Sequence, residues 1–346
     1  MTDIKSTPAL RDPLSFAGRV ELHTLDSQVL DGGRYGDPTL RQLAVYVPPN
    51  ADGPLPVVFL LPGFTGNWMS YLKTHAWDEG VVKVYDRGVA AGELEPALLV
   101  MPDCFTKLGG SQFVDSALLG RYETYLTDEV VPFVDSHFVT NPKARRGLVG
   151  KSSGGFGAMR LSMRHPKLFG AAASISGDVN FEMGYAVEFP AALRGLVGHN
   201  MDPAKFLAHF FETNKLKDDD HAAMNTLAMA ACYSPAPDTE LGFELPFDLE
   251  TCRRIDNVWQ RWLAFDPLEM IETVVAQDAW RTMDLLHLEC GLRDQFHLQW
   301  GLRRLTARLD ELGIDHHHVE HEGSHFDIND RYPPAISAVA RALVDA

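Results

Sequence analysis

The stretch Leu148-Val149-Gly150-Lys151-Ser152-Ser153-Gly154-Gly155-Phe156-Gly157 decides the reading of this chain. Arg145, Arg146 and a short apolar run precede it, and Phe156, Met159, Leu161 and Met163 carry a helical spacing on to Arg164. A strand, a G-x-S-x-G turn and a helix form the arrangement called a nucleophile elbow, which lifts one serine hydroxyl clear of a sheet. Gly150 and Gly154 stand where any side chain would collide with the neighbouring strand or helix. Gly155 and Gly157 extend that logic by letting the helix lie close on the sheet. The bare pattern is common in proteins; its flanks are what single out Ser152 as a nucleophile.

Composition narrows the class. The chain has 346 residues, long for one domain but acceptable for an α/β domain carrying an insertion. Apolar residues make up 45% and charged residues 23%, which suits a large core and argues against disorder. The formal net charge of −16 repels phosphate backbones and anionic lipid, so nucleic acid and membrane are excluded as expected partners. Cys104, Cys232, Cys252 and Cys290 form no C-x-x-C pair, so neither a zinc knuckle nor a disulfide framework is expected. Met1–Leu14 lacks a basic start followed by an apolar run, so no signal peptide is expected. No stretch approaches the ~20 apolar residues of a membrane span. The expectation is a cytoplasmic protein whose oligomeric state stays open between monomer and homodimer.

Along the chain, Arg19 to Val47 alternates (Val20, Leu22, then Leu43, Val45, Val47) and predicts two or three antiparallel strands. Leu55–Leu61 is apolar on both faces, as in a buried parallel strand. Thr74–Gly88 and Tyr122–His137 read as helices. Ala97–Met101, Leu148–Gly150, Ala171–Ile175, Leu285–Cys290 and Ile314–His321 read as further buried strands. Strands alternating with helices predict a doubly wound, mostly parallel sheet with the antiparallel strands at one edge. Residues 178–280 break the rhythm. They carry helix signals such as Asp202-Pro203, Asp218-Asp219-Asp220 and Asp266-Pro267, and no clear strand. Ligands in such sheets bind outside the carboxyl ends of the strands, so this segment reads as a helical cap over the site.

A serine hydroxyl needs a histidine to take its proton and a carboxylate to orient that histidine. The expected chain order is serine, acid, histidine. His325, in Glu322-Gly323-Ser324-His325, follows the last predicted strand in a loop able to bend toward the elbow. Asp294, in Gly291-Leu292-Arg293-Asp294, follows the strand before it and is the first choice of acid; Asp178, in Ser176-Gly177-Asp178, is the alternative. Asp327 and Asp330 lie too close to His325 in sequence. His316, His317, His318 and His321 suggest a metal cluster, but on a strand they divide between two faces, so no metal is expected. His165 reads as a helix end. Two N–H donors are needed for an oxyanion. Ser153 supplies one, and the loop Leu61-Pro62-Gly63-Phe64-Thr65-Gly66 the other, with Phe64 ahead of its neighbours Gly63 and Thr65. Trp68, Met69 and Tyr71, and separately Phe113, are candidate pocket walls that ordinary core packing would explain equally well.

At these residues the chain resembles the putative esterase (esterase D-like) family of α/β-hydrolases, which includes S-formylglutathione hydrolases and feruloyl esterases. Leu61-Pro62-Gly63, Phe113 to Ser116 with Tyr122-Glu123-Thr124-Tyr125-Leu126, the Gly150–Gly155 elbow and Arg164-His165-Pro166-Lys167-Leu168-Phe169 are similar to its blocks. Lys151 in place of a common histidine, Gly323-Ser324-His325 in place of G-G-H, and the length of the insertion depart from it. The resemblance implies an α/β-hydrolase fold and a Ser152–His325–Asp294 triad with Phe64 and Ser153 amides as oxyanion donors. The expected activity is serine carboxylic-ester hydrolysis on a small or medium ester, without a cofactor. Acyl transfer, thioester hydrolysis or a catalytically silent binding protein are the alternatives.

Overall fold

The computed structural model describes residues 15–51, 53–73, 79–141, 144–326 and 328–345. The lead-in at residues 1–14, including the reading that it is no signal peptide, lies outside them, as does the start of the helix expected at Thr74. Eight strands form one sheet: β1 (Arg19–Asp26), β2 (Leu40–Val47), β3 (Val57–Leu61), β4 (Leu98–Pro102), β5 (Arg146–Lys151), β6 (Phe169–Ile175), β7 (Leu285–Arg293) and β8 (His317–Ser324). Their order is β1-β2-β4-β3-β5-β6-β7-β8. The pairs β1–β2 and β2–β4 are antiparallel, and every later pair is parallel. The helices used below are α1 (Val81–Ala90), α2 (Ser153–Arg164), α3 (Phe189–Leu196), α4 (Pro203–Thr213), α5 (Asp220–Tyr233), α6 (Asp256–Leu263), α7 (Leu298–Leu312) and α8 (Tyr332–Val344).

Side-chain alternation explains the two layers. In β2, Leu43, Val45 and Val47 enter one apolar cluster while Ala44 and Tyr46 enter another on the opposite face. Val82 and Tyr85 of α1 and Ile336 and Val339 of α8 close the second face. Phe156 of α2 and Leu305 and Leu309 of α7 close the first. With both faces covered, the central strands read as unbroken apolar runs. The mostly parallel sheet with an antiparallel edge matches the expected architecture. One strand is displaced from its expected span. Gly313, at φ 62°, ends α7, and Ile314 N–H turns back to Leu309 O at 3.0 Å, so the chain becomes extended only at His317.

Tyr122–His137 is helical throughout, with a π-helical segment at Tyr125–Val130. Its Glu123 accepts from Arg160 (2.6 Å), Arg164 (2.6 Å) and His165 (2.7 Å). Burial alone would raise this carboxyl; the His165, Arg160 and Arg164 donors outweigh it and hold the group far below the usual carboxylate range. His165, expected as a helix end, follows α2 directly and donates its N–H to Leu161 O.

The segment 178–280 shares the core of the sheet. Trp259, Trp262 and Tyr233 are buried in the same apolar cluster as Phe156, and Trp280 Nε1 donates to Ser162 of α2 at 3.0 Å. The expected signals work locally: Asp202 accepts from Ala204 and Lys205 N–H at the start of α4, with Pro203 as first residue. Asp266 accepts from Leu268 N–H (3.0 Å) and also from Asn180 (2.9 Å) and Phe181 (2.6 Å). It thereby ties the loop after β6, where Asn180 is held at φ 56°, to the far end of the insertion. Burial pushes its carboxyl up to about 6, against the pull of the Phe181, Leu268 and Asn180 N–H groups. Asp266→Ala would leave buried N–H groups unpaired. The expected loss is about 2–4 kcal/mol of unfolding free energy, read from urea denaturation. A variant as stable as the parent would contradict this role.

Candidate active site

The elbow is built by close backbone approach. A Cβ on Gly154 would lie 1.8 Å from Leu61 O, and one on Gly150 would lie 2.2 Å from Gly154 O, so neither position accepts a side chain. Between them Ser152 takes φ 57° and ψ −126°, a region that non-glycine residues rarely enter. It is fixed by its own N–H to Ile175 O at 3.1 Å and by Phe156 N–H to its carbonyl at 2.9 Å. Ser153 is the first residue of α2, and the first N–H groups of a helix have no partner within it. Gly63 comes within 3.5 Å of Ser152 Cβ at its Cβ position, and Gly66 N–H closes the turn onto Gly63 O at 2.8 Å. Phe64 sits in that turn, its ring over Gly109 and its backbone against Gly110.

β7 runs on to Arg293, so Asp294 follows the strand directly instead of lying four residues beyond it. His325 Nδ1 lies 2.8 Å from Asp294 Oδ2, and both residues are buried. Asp294 Oδ1 accepts from Phe296 N–H at 2.9 Å. The His325 backbone N–H donates to Gln295 at 3.0 Å, and Phe296 and Phe326 meet its ring edge-on. Burial opposes ionisation of Asp294, but His325 and the Phe296 N–H outweigh it and the carboxyl lies below its ordinary range. Asp178 is not hydrogen-bonded to His325. Its Oδ2 accepts from Tyr185 (2.8 Å), Gln112 (3.3 Å) and Ser153 (3.3 Å).

Ser152, Ser153, Phe64, Asp178 and His325 all line one cavity of about 1520 Å³. Its wall differs from the expected one. Trp68 packs against the core on the opposite face of the sheet, and Phe113, held at φ 54°, turns onto Gly157, where its ring lies 2.5 Å from the Cβ position. Neither lines the cavity, nor does Met69, whereas Tyr71 does. Aromatic lining comes instead from Phe105, Phe181, Phe210, Phe211, Phe296 and Phe326. The insertion contributes through residues 179–225; Pro235 to Arg281 do not reach the cavity.

Among the described residues no group of three or more His, Cys, Asp or Glu side chains is arranged to hold a metal. The histidines near β8 go to separate partners: His316 to Ile314 O, His317 to His287, His318 to Thr306, and His321 to Gly323 N–H. Sequence reasoning missed Gln112, Tyr185 and Tyr233. Only the left-handed backbone at Gln112 (φ 54°) brings its amide to both tyrosines, and no periodicity signals it.

The sheet order, the elbow and the helices on both faces define an α/β-hydrolase. The chain is similar to a ferulic acid esterase of known structure (TM-score 0.60, 18% identity, 95% of this chain and 100% of that one). It is likewise similar to an S-formylglutathione hydrolase from Agrobacterium tumefaciens (TM-score 0.56, 17% identity, 95% and 97%). In sequence it is 26% identical over 113 residues to an endo-1,4-β-xylanase/feruloyl esterase of Xylanibacter ruminicola, a match covering 30% of this chain and only 16% of that protein. Residues 38–293 match the family model described as Putative esterase. The chain belongs to the putative esterase family.

The sign of the Asp294 shift gives a pH test. Its folded pKa is lowered, so its stabilisation is fully present above the ordinary carboxylate value of about 3.9 and is lost as pH falls through the folded value. The stability gap between the parent and Asp294→Asn is expected to narrow as pH falls below about 4. Urea melts between about pH 5 and about pH 3 check it; a gap that stays unchanged over that range would contradict the assignment.

Proposed function

We propose that this chain is a serine carboxylic-ester hydrolase that works through an acyl-enzyme on Ser152. The observation that carries the reading is the buried 2.8 Å bond from His325 Nδ1 to Asp294, on a histidine that lines the same cavity as the strained Ser152. In this mechanism Asp294 holds the tautomer in which His325 Nε2 is the free acceptor. Nε2 takes the Ser152 proton as Oγ attacks the ester carbonyl, and the Phe64 and Ser153 N–H groups receive the oxyanion. The protonated His325 then gives its proton to the leaving alcohol. Water, deprotonated in turn by His325, releases the acid.

The substrate is a small or medium ester. A cavity of about 1520 Å³ with aromatic lining accepts a bulky apolar acyl or alcohol part. Residues 178–225 act as the cap, and the rest of the insertion supports them. Four unpaired cysteines support a reducing, cytoplasmic setting. No helix among the described residues is long and apolar enough to cross a membrane.

A fluorophosphonate probe is expected to label the parent and not Ser152→Ala. Labelling that survives this substitution would move the nucleophile elsewhere. With a nitrophenyl ester, Asp294→Asn is expected to lower kcat by about 10⁴. Asp178→Asn is expected to fall far less, and the reverse order would exchange the two acids.

A further inference from the structure

Asp178 is a buried carboxylate beside the proposed nucleophile with no part in the triad geometry. It follows β6 at the carboxyl end of the sheet, where the ligand-binding loops gather. Its backbone N–H lies 3.4 Å from Ser152 O, and its side chain lines the cavity together with Ser152, Ser153 and His325. Tyr185 Oη, Gln112 Nε2 and Ser153 Oγ all converge on Oδ2. Gln112 is itself fully buried and braced by Tyr185 (3.1 Å) and Tyr233 (3.0 Å), while its Oε1 has no partner among the described residues. The position of Oδ2 is therefore set by a rigid aromatic and amide frame.

Oδ1 is treated differently. Among the described residues no hydrogen-bond donor reaches it, and no ion pair joins Asp178 to a lysine or arginine. Arg194, the arginine that the insertion places in the cavity wall, is engaged by Asp219 at 2.9 Å. Burial pushes the Asp178 carboxyl up, against the opposing pulls of Tyr185, His325, Gln112 and Ser153. With no donor on it, Oδ1 stays open to the cavity, and a side chain needed only to tie Tyr185 and Gln112 would not have to be a carboxylate. Beside the elbow, where Phe181, Phe296 and Phe326 also line the cavity, a fixed acceptor orients a ligand.

We propose that Asp178 is a specificity-determining residue whose Oδ1 accepts a hydrogen bond from a hydroxyl or ammonium group carried by the substrate close to its scissile ester. The inference rests on the serine-esterase reading of the same cavity. It makes the substrate class hydroxylated or aminated esters. A site built around such an acceptor discriminates against the analogue that lacks the donor, because binding then leaves the carboxylate unpaired. Esters carrying a carboxylate at that place meet a like charge and are rejected.

Matched esters test this, with hydrolysis followed by acid release. Methyl butanoate is compared with methyl 3-hydroxybutanoate and methyl 3-aminobutanoate on the acyl side, and ethyl butanoate with 2-hydroxyethyl butanoate on the alcohol side. The parent is expected to favour the donor-bearing member of at least one pair by about 10- to 100-fold in kcat/KM, mainly through KM. In Asp178→Ala that ratio is expected to collapse toward one. Asp178→Asn keeps the shape of the side chain, and it should lower the ratio several-fold for a hydroxyl and abolish it for an ammonium. Thermal melts identify which variants are folded. A parent ratio near one in every pair overturns the inference while leaving the esterase reading intact. So does a ratio that survives in a folded variant. A parent that hydrolyses none of these esters and takes no fluorophosphonate overturns both.

Discussion

The approach of α2 to β3 governs the rest of the molecule. With Gly154 against the Leu61 carbonyl and Gly150 against Gly154, helix and strand lie closer than any side chain would allow. The chain must then pass from β5 into α2 in a single residue, and Ser152 is forced into a conformation that costs of order 1–3 kcal/mol for a residue with a side chain. That strain is offset by the buried apolar packing of Phe156, Met159 and Leu161 on the sheet and by the backbone bonds that pin Ser152 on both sides. A looser contact would relax the turn and let the hydroxyl sink back toward the sheet.

The same parallel sheet brings the other functional groups to one edge without further design. The Gly63 turn follows β3, Asp178 follows β6, Asp294 follows β7 and His325 follows β8. Two of these are aspartates, and their surroundings push them in opposite directions. Asp294 has a hydrogen-bonded histidine and a backbone N–H and stays below its usual range; Asp178, hydrogen-bonded only by Tyr185, Gln112 and Ser153, is driven up by burial. The contrast lies in what each carboxylate is given to pair with. One arrangement is complete within the protein, and the other is not.

Much of this could be read from the chain. Buried strands announce themselves as apolar runs, the elbow by its glycines, and helix starts by Asp202-Pro203 and Asp266-Pro267. The order of Ser152, Asp294 and His325 along the chain also ranked the two acids as their geometry does. The cavity wall was illegible for a definite reason. Phe113 and Trp68 lie near the elbow in sequence, but their direction depends on φ 54° at Phe113 and on the 3₁₀ turn at Trp68–Tyr71. Neither is a periodic feature. Phe210 and Phe211, on the helix that Asp202-Pro203 opens, both reach the cavity, and nothing in their spacing marks them for it. The start of β8 slipped by three residues because the Gly313 cap turns Ile314 back onto Leu309 before the chain extends at His317.

The insertion is best understood through the division of its two halves. From Pro235 to Arg281 it is welded to the sheet: Trp259 and Trp262 fill the common core, and Asp266 reaches back to clamp Asn180 and Phe181. The earlier half supplies the cavity wall, including Phe181, Tyr185, Phe210 and Phe211. Asp266 thus links the stability of one half to the shape of the other, together with Glu182, which accepts from Trp259 Nε1 (3.0 Å) and Arg254 (2.7 Å). Changes in the outer wall at α4 can alter what the cavity accepts with little effect on the core, since Phe211 is 43% exposed. Changes at Asp266 disturb the loop after β6 that carries Asp178 and Phe181 into the cavity wall. The outer wall at α4 can thus vary while the clamp at Asp266 holds the loop after β6 in place against the elbow.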